Sequence, residues 1–331
     1  MKKILYFLIA VLAMVMSSCS NDDIEITRAI SVKVNPSGVI APFTFEINTG
    51  ELESFDTDNK LRVRTFAYNE KGALVAQDVQ YLQNYASIAS CSLNLERGTY
   101  TIVAITDIAE MDGTDVSFEY WTISGTEKLS TTKITDAGYL GGKHKILGLD
   151  IKKMTVESQN NECKLNPQPV GALCLVHWLN IHTYPSVEEY TLAMSKSSDF
   201  IQLNEIGGYD VSELNENGAF NWRLTYLDPS DYTAYDNVYG YYFVLPMKNI
   251  KFKYTYVANG EYNELSTSET VSCEAGGEYY FALNLCDENN NNTVTGSIGI
   301  LLNGANSAKE YSAKVRTRNN ANSLYLADYA K

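Results

Sequence analysis

Alternation of apolar and polar residues along the chain predicts short β-strands. In residues 30–34, Ile30, Val32 and Val34 alternate with two polar residues. A period of two is typical of a strand with one buried face. Other segments with a strand pattern are 43–47, 61–68, 73–78, 91–95, 100–106, 220–226, 250–256 and 274–285.

Tight-turn sequences separate these segments and predict how some of them pair. Residues 69–72 form a turn that joins 61–68 to 73–78, and Asn259-Gly260 is the strongest short hairpin signal in the chain. The turn 96–98 predicts a hairpin between 91–95 and 100–106. The segment 274–285 begins with a turn at Gly276-Gly277. We expect the strand after this turn to run back along its sheet and to form the edge of that sheet. Short strands joined by tight turns indicate β-sandwiches.

Three regions depart from simple alternation. Residues 172–181 are almost wholly apolar, which favours a central strand but also fits a short buried helix. The pattern weakens over 107–150, where an acidic loop is expected at 112–115. The mildly apolar tail 294–302 is expected to be an extra strand or a disordered end.

The length of the chain and two breaks in its strand pattern indicate two folded domains. Without its first 18 residues the chain retains 313 of 331, about two domains' worth. An Asn-rich break at 158–161 and the sequence Pro167-Gln168-Pro169 mark the boundary. We therefore expect an all-β chain of two tandem β-sandwiches, divided as signal peptide 1–18, lipidated tether 19–29, N-terminal β-sandwich 30–157, C-terminal β-sandwich 158–286, and Asn-rich linker with C-terminal tail 287–331.

The N-terminus has the pattern of a lipoprotein signal peptide. Lys2 and Lys3 precede an uncharged apolar run over 4–16, which is too short to span a bilayer and ends at Ser17-Ser18-Cys19. Cys19 would become the lipid-bearing first residue, with palmitate as one of its acyl chains. The alternative is an ordinary secretory signal with an incidental cysteine. Lipidation would tether the protein to the outer membrane. Residues 20–25 resemble the acidic stretch that follows the lipidated cysteine in surface-exported lipoproteins of Bacteroides-type bacteria, and this resemblance implies the cell surface.

Charge and composition exclude some classes of function. The formal net charge is −14, and removal of the two lysines lowers it to −16. Such a surface repels phosphate backbones, so nucleic-acid binding is not expected. The chain has 24 tyrosines against 7 prolines, a composition that favours strands.

Three segments carry a resemblance to a known family. Residues 95–104 (LERGTYTIVA), 242–246 (YFVLP) and 274–283 (EAGGEYYFAL) resemble, in this order, landmarks of the fimbrillin-like and fimbrial-anchor lipoproteins of Bacteroides-type bacteria. The resemblance implies two tandem β-sandwiches, and a role as stalk, tip or anchor subunit of surface fibres or as a surface adhesin. Stalk subunits of this family are trimmed at an Arg and exchange strands. We expect this chain to remain untrimmed at Arg28, although its 294–302 tail could supply a strand to a neighbour.

A tyrosine-rich segment over 226–242 is the candidate ligand-binding site. Tyrosine rings can lie against sugar faces while nearby carboxylates bind hydroxyls. The same rings could instead cover the end of the second sandwich and exclude water. The candidate residues are Tyr232, Tyr235, Tyr239, Asp231 and Asp236.

Other residues of chemical interest favour structural roles. Trp178 and Trp222 lie in strand patterns and are expected in the core, whereas Trp121 stays open as a sugar platform. His177 and His182 should face opposite sides of a strand, and no metal site or cofactor is expected. After Cys19 an odd number of cysteines remains. Their spacing permits two disulfides, 163/174 and 273/286. The alternative for each pair is two buried thiols that act as small hydrophobic side chains.

The sequence contains no nucleophile elbow, zinc-protease motif, phosphate loop or dinucleotide fingerprint. We therefore expect a non-enzymatic surface lipoprotein, with a structural or adhesive role as fimbrillin-like anchor or accessory subunit. Its partners would be the outer membrane, through the lipid, and other fimbrial subunits. The alternative is a non-catalytic glycan-binding lipoprotein of a surface nutrient-capture system.

Overall fold

The computed structural model describes residues 27–43, 58–138, 142–157, 161–179, 187–194, 198–213, 221–225, 237–258, 261–266, 270–287, 294–304, 307–312, 315–316 and 321–322. Within them the chain forms β-strands and three short 3-10 helices, at Pro36–Val39, Leu129–Thr131 and Gly142–Lys145, and no α-helix. The sheets pack in sandwich-like fashion, which confirms the predicted all-β class. No helix in the described part is long and apolar enough to cross a membrane.

The strands, in chain order, are β1 (Arg28–Val34), β2 (Asn59–Asn69), β3 (Leu74–Leu82), β4 (Ala89–Leu95), β5 (Gly98–Asp112), β6 (Asp115–Glu119), β7 (Trp121–Ser124), β8 (Lys133–Asp136), β9 (Gly148–Val156), β10 (Glu162–Leu165), β11 (Gln168–Pro169), β12 (Ala172–Leu179), β13 (Val187–Met194), β14 (Phe200–Leu203), β15 (Tyr209–Val211), β16 (Asn221–Thr225), β17 (Asn237–Val244), β18 (Met247–Ile250), β19 (Phe252–Ala258), β20 (Glu261–Ser266), β21 (Val271–Cys273), β22 (Glu278–Asp287), β23 (Val294–Gly304), β24 (Ser307–Ser312), β25 (Val315–Arg316) and β26 (Ala321–Asn322).

Two sheets enclose the N-terminal core. One has the order β10-β1-β4, and the other has the order β11-β9-β5-β2-β3, with β6 added to β5. Strand β1 buries Ile30, Val32 and Val34 completely, as the alternation predicted. The turn 69–72 joins β2 to β3 in an antiparallel hairpin, which confirms that prediction. Residues 44–47 of the predicted strand 43–47 lie outside the described residues.

The hairpin predicted between β4 and β5 is wrong. Strand β4 pairs with β1, whereas β5 pairs with β2, β9 and β6. The turn 96–98 therefore carries the chain from one sheet to the other. The physical reason is burial on both faces of β5, where residues 102–105 are all fully buried. The acidic loop expected at 112–115 is the tight turn between β5 and β6, and Gly113 has a φ of +64° there.

Strand β12 lies inside a five-stranded sheet of order β17-β12-β22-β23-β24. It pairs antiparallel with β17 and parallel with β22, which confirms the central strand and excludes the helix alternative. Strand β22 is an interior strand, so the prediction that 274–285 forms a returning edge is wrong. The tail strand β23 covers it and is itself paired with β24. Because β23 is paired along both edges, it would have to leave its own sheet before joining a neighbour.

The remaining strands form smaller sheets. The order β16-β13-β19-β20 contains the hairpin predicted at Asn259-Gly260, with Ala258 paired with Glu261. A second four-stranded sheet has the order β15-β14-β8-β7, and β18 pairs with β21. The short strands β25 and β26 pair with each other.

Several strand pairs join residues on the two sides of position 157. Strand β10 pairs with β1, β11 pairs with β9, and β14 pairs with β8. The buried core is shared as well, because Trp121 contacts Phe243 edge to face at 6.1 Å between ring centroids. The division into domains at 157/158 stays a prediction, and strand pairing places 162–169 with the N-terminal sheets.

Candidate functional site

A polar cavity of about 380 Å³ opens where five distant segments meet. Its walls are the β2–β3 turn, the start of β5, the 3-10 helix at Leu129–Thr131, strand β9 and the turn between β14 and β15. The lining residues are Asn69, Glu70, Lys71, Gly72, Thr99, Tyr100, Thr101, Leu129, Ser130, Lys153 and Glu205.

The β2–β3 turn is held in place by its own hydrogen bonds. The Asn69 side-chain oxygen accepts hydrogen bonds from the backbone N–H groups of Lys71 and Ala73, each at 3.0 Å. Gly72 occupies the left-handed region with φ of +72°, where glycine is favoured. The Leu129 N–H donates to the Gly72 carbonyl at 2.8 Å. This contact fixes the turn against the 3-10 helix, so the cavity is built on a preformed loop.

Tyr100 forms a buried wall of the cavity. It lies in β5 between Asn69 of β2 and Met154 of β9, and only 8% of it is exposed. Its hydroxyl donates to the Glu96 carbonyl oxygen at 3.2 Å. Burial, followed by the charge of Glu96, raises the pKa of the Tyr100 hydroxyl. The Tyr100 hydroxyl therefore stays protonated at physiological pH.

The charged groups around the cavity are balanced. Glu70 and Lys71 lie exposed on the turn, Lys153 is exposed on β9, and Glu205 is exposed on the opposite side. Two carboxylates and two ammonium groups supply acceptors and donors without a strong field of either sign. Such a lining suits a neutral polyhydroxylated ligand better than a highly charged polymer.

The tyrosine site predicted from sequence falls mostly outside the described residues. Asp231, Tyr232, Tyr235 and Asp236 lie there entirely. Tyr239 is placed in β17, where its backbone pairs with His177, but its side chain lies outside the described part. Cys19 and the whole signal peptide are also outside it. These candidates therefore stay predictions.

The structure removes Trp121 as a sugar platform. Its side chain is fully buried, and its indole N–H donates to the Lys145 carbonyl oxygen at 2.6 Å. The side chains of Trp178 and Trp222, expected in the core, lie outside the described part. Among the described residues no group of three His, Cys, Asp or Glu side chains could hold a metal ion.

The described cysteines are buried thiols. Cys91, Cys163, Cys174 and Cys273 are all free. Burial and Cys273 both raise the pKa of the Cys174 thiol. Of the two alternatives for Cys163 and Cys174, a disulfide or buried thiols, the structure has buried thiols. The side chains of Cys286 and His182 lie outside the described residues.

The most concentrated charge cluster is built into the six-stranded sheet. Arg62 donates two hydrogen bonds to the Asp107 carboxylate, at 3.0 and 2.6 Å, and one to Glu119 at 2.9 Å. Arg64 reaches the same Asp107 oxygen at 3.0 Å. Burial lowers the pKa of Arg62, but the bonds and charges of Asp107 and Glu119 outweigh it and raise the pKa overall. The cluster cross-links β2, β5 and β6, so its role is to hold these three strands together.

Sequence reasoning identified the turn 69–72 but not the cavity that it borders. The other walls come from positions 99–101, 129–130, 153 and 205, far apart in the chain. No local signal brings them together. Glu205 in particular reaches the cavity only because β14 pairs with β8.

Comparison with known proteins relates the chain to others by structure. No protein-family profile and no curated protein sequence matches it. The fimbrial anchor protein Mfa2 of Porphyromonas gingivalis is similar over 86% of this chain and 100% of its own, at 13% identity and a TM-score of 0.48. A candidate adhesin of Bacteroides ovatus is similar over 91% of this chain and 96% of its own, at 8% identity and a TM-score of 0.48.

A third structure gives the argument for the fold. A candidate polysaccharide binding protein of Bacteroides thetaiotaomicron is similar over 86% of this chain and 98% of its own, at 10% identity and a TM-score of 0.50. At this identity the likeness shows a shared fold and nothing more. The resemblance to fimbrillin-like surface proteins that the three landmarks predicted is confirmed at the level of the fold.

Proposed function

We propose that the chain is a cell-surface lipoprotein with a structural or adhesive role, an anchor or accessory subunit of surface fibres. The N-terminal signal, the three ordered landmarks and the all-β fold support this function. The solved structures with a similar fold are described as fimbrial anchor, adhesin and polysaccharide binding proteins, and none of these descriptions is of an enzyme.

The observation that carries the proposal is the cysteine at the end of the short apolar run. A run of this length cannot cross a bilayer, so a lipid on Cys19 would be the anchor. Two acyl signals give stable membrane attachment where one gives only reversible binding. A lipidated Cys19 would thus hold the folded part at the outer membrane through the tether 19–29.

Metabolic labelling with palmitate tests the anchor. The wild-type protein should incorporate the label and sediment with the outer membrane, and Cys19→Ala should lose the label and leave that fraction. Cys91→Ala is the matched control, because it removes a buried thiol and should keep both the label and the fraction. A wild-type protein that takes up no palmitate would contradict the proposal.

The environment of Arg28 supports an anchor over a trimmed stalk subunit. Arg28 is the first residue of β1, where its backbone pairs with Leu95, and its guanidinium donates to the Glu157 carbonyl oxygen at 3.1 Å. A protease would need to detach this strand end to cut after Arg28. Mass spectrometry of the native protein should find a lipid-modified Cys19. A mature N-terminus at Ala29 in high-molecular-weight ladders would contradict an anchor role.

The polar cavity favours a second candidate function, glycan binding. Its volume and its balanced charges suit a small saccharide unit. A glycan array with residues 20–331 tests this function. If the cavity binds, Lys71→Ala and Glu205→Ala should lower the signal at least tenfold, while Lys152→Ala, an exposed lysine of β9 that does not line the cavity, should not.

The same array separates the cavity from the tyrosine segment. Loss of binding in Tyr235→Ala and Tyr239→Ala, with the cavity variants unaffected, would move the site to the segment 226–242. Retained binding in those two variants would remove that segment as the site. An array with no bound glycan would leave the structural role as the function.

A further inference from the structure

Two buried thiols meet inside the C-terminal half of the chain. Cys174 lies in the central strand β12, and Cys273 is the last residue of β21. Both are almost fully buried, at 0% and 1% exposure. Burial and Cys273 both raise the pKa of the Cys174 thiol, although 98 residues separate the two cysteines along the chain.

Backbone hydrogen bonds on both sides hold the two thiols together. The Gly276 N–H donates to the Gly171 carbonyl at 2.8 Å, and the Leu173 N–H donates to the Gly277 carbonyl at 3.0 Å. These bonds tie the turn after β21 to the start of β12. The sheet framework therefore holds the backbone just after Cys273 beside the backbone just before Cys174.

Tyr279 adds a third fixed point beside the pair. It lies directly opposite Cys174 in the parallel pairing of β12 and β22. Its hydroxyl accepts a hydrogen bond from the Glu274 backbone N–H at 2.8 Å, next to Cys273. The Tyr279 side chain thus spans from the strand position opposite one thiol to the residue that follows the other.

The other two described thiols cannot pair with each other. Cys91 of β4 and Cys163 of β10 both lie opposite Val32 of β1, on its two sides. Two strand spacings separate them, roughly 9.5 Å, whereas a disulfide needs Cα atoms within about 7 Å. Among the described cysteines, Cys174 and Cys273 are the pair in which one thiol shifts the pKa of the other.

We propose that Cys174 and Cys273 form an intramolecular disulfide in the exported protein. The oxidant is a protein or small-molecule disulfide of the thiol–disulfide exchange class. One thiol loses its proton and attacks that disulfide, which releases one oxidant thiol and leaves a mixed disulfide. The second thiolate attacks the protein sulfur of the mixed disulfide, forms the Sγ–Sγ bond and releases the second oxidant thiol. Two electrons pass to the oxidant, and two cysteine protons are lost.

The reaction belongs to folding and not to the finished protein. Both sulfurs are closed to solvent, and burial raises the pKa of Cys174 further above its usual value, so the folded thiol is a poor nucleophile. Exchange before β21 docks on β12 would give a bond that afterwards resists reductant. The disulfide would connect the central strand to the β18–β21 ribbon.

Mass mapping of the full-length protein purified from the cell envelope tests the disulfide. The protein is unfolded in an alkylating reagent without reductant and digested with chymotrypsin, which can cut at 279–281 and so separate Cys273 from Cys286. We expect a peptide pair linked through Cys174 and Cys273 that disappears after reduction. Complete alkylation of both thiols without reductant, or a link from either one to another cysteine, would overturn the proposal.

Stability measurements give a second readout. In the oxidised protein, reduction during unfolding should lower the melting midpoint by roughly 5 °C or more. The Cys174→Ala/Cys273→Ala double variant should show no reductant-dependent shift, and the Cys91→Ala/Cys163→Ala double variant should keep it. A wild-type midpoint that does not respond to reductant would contradict the disulfide. Neither readout depends on lipidation of Cys19.

Discussion

Buried charges are the strongest constraint that single side chains place on this fold. Lys145 is fully buried, and its ammonium contacts the Asp136 carboxylate at 2.7 Å and lies 5.7 Å from the centre of the Trp121 ring. Burial lowers the pKa of Lys145, and the neighbouring Asp136 partly opposes this shift. A buried ion pair adds little by itself, but removing one partner is costly.

Asp136→Asn should therefore destabilise the protein by about 3 kcal/mol, because the Lys145 ammonium would lose its carboxylate. The double variant Lys145→Met/Asp136→Asn should recover part of this loss. Urea unfolding measures both changes. Glu162→Gln is the control, since its pair with Lys164 is exposed on both sides and should contribute less than about 0.5 kcal/mol. Equal losses from Asp136→Asn and Glu162→Gln would contradict a buried pair.

Buried acids predict a loss of stability at alkaline pH. Burial raises the pKa of Cys91 from 9.0 to about 11, and burial raises the pKa of Tyr242 from 10.0 to about 12. Below pH 9 both states keep these protons, so the stabilisation is fully present. Between pH 9 and 12 the unfolded chain releases them first, and each group lowers the free energy of unfolding by up to about 1.4 kcal/mol per pH unit.

Urea unfolding between pH 8 and 11 measures this slope. Cys91→Ala should be less stable at pH 8, from lost packing, but should lose less stability than the wild type between pH 9 and 11. The exposed neighbour Ser92 supplies the control, because Ser92→Ala should keep the wild-type slope. An unchanged slope in Cys91→Ala would show that this thiol does not contribute.

Among the strands and turns, the connection from β7 to the 3-10 helix at Leu129–Thr131 contains a closely packed glycine. Gly125 has a φ of +65°, and a Cβ there would overlap the Thr131 carbonyl oxygen. The Thr131 hydroxyl also donates to the Gly125 carbonyl at 2.7 Å. This turn brings Leu129 into the core and into the wall of the cavity.

Gly125→Ala should cost about 3 kcal/mol, from the left-handed backbone and from the steric overlap. Gly113 is a matched control with φ of +64° and no atom within 4 Å of a built Cβ. Gly113→Ala should cost only about 1 kcal/mol, so the difference between the two variants reports the overlap. Thermal unfolding measures both, and equal losses would contradict the packing argument.

For the molecule as a whole, the main question is whether its two predicted domains fold independently. Strands β10, β11 and β14 follow position 157 but pair with β1, β9 and β8. Ile201 of β14 and Ile134 of β8 are opposite each other and fully buried. A cut at 157 would expose both of these isoleucines and three strand edges.

We expect residues 30–157 expressed alone to lack a cooperative unfolding transition. Co-expression with 158–331 should restore one, because the missing strands can pair in trans. Circular dichroism during urea unfolding and size-exclusion chromatography measure the two results. A monomeric 30–157 fragment that unfolds as cooperatively as the full chain would show that the predicted boundary separates independent domains.

Sequence alone determined the all-β class and the β2–β3 and β19–β20 hairpins. It favoured a central strand at β12, and the structure excluded the helix alternative. Each of these depends on local information: alternation with a period of two, a turn sequence between adjacent strands, or a continuous apolar run. The three landmark segments likewise contain short glycine turns or strand ends. Each of these signals lies within about ten residues, so it can be interpreted without knowledge of the rest of the chain.

Tertiary structure decided which strands become partners and which residues share a surface. The turn 96–98 has the composition of a hairpin, but β4 gains more by covering β1 in the opposite sheet. Long-range pairing produces the burial of Trp121, the neighbourhood of Cys174 and Cys273, and the cavity beside Tyr100. Alternation specifies which face of a strand is buried but not which strand lies beside it, because partner choice depends on packing across the whole core.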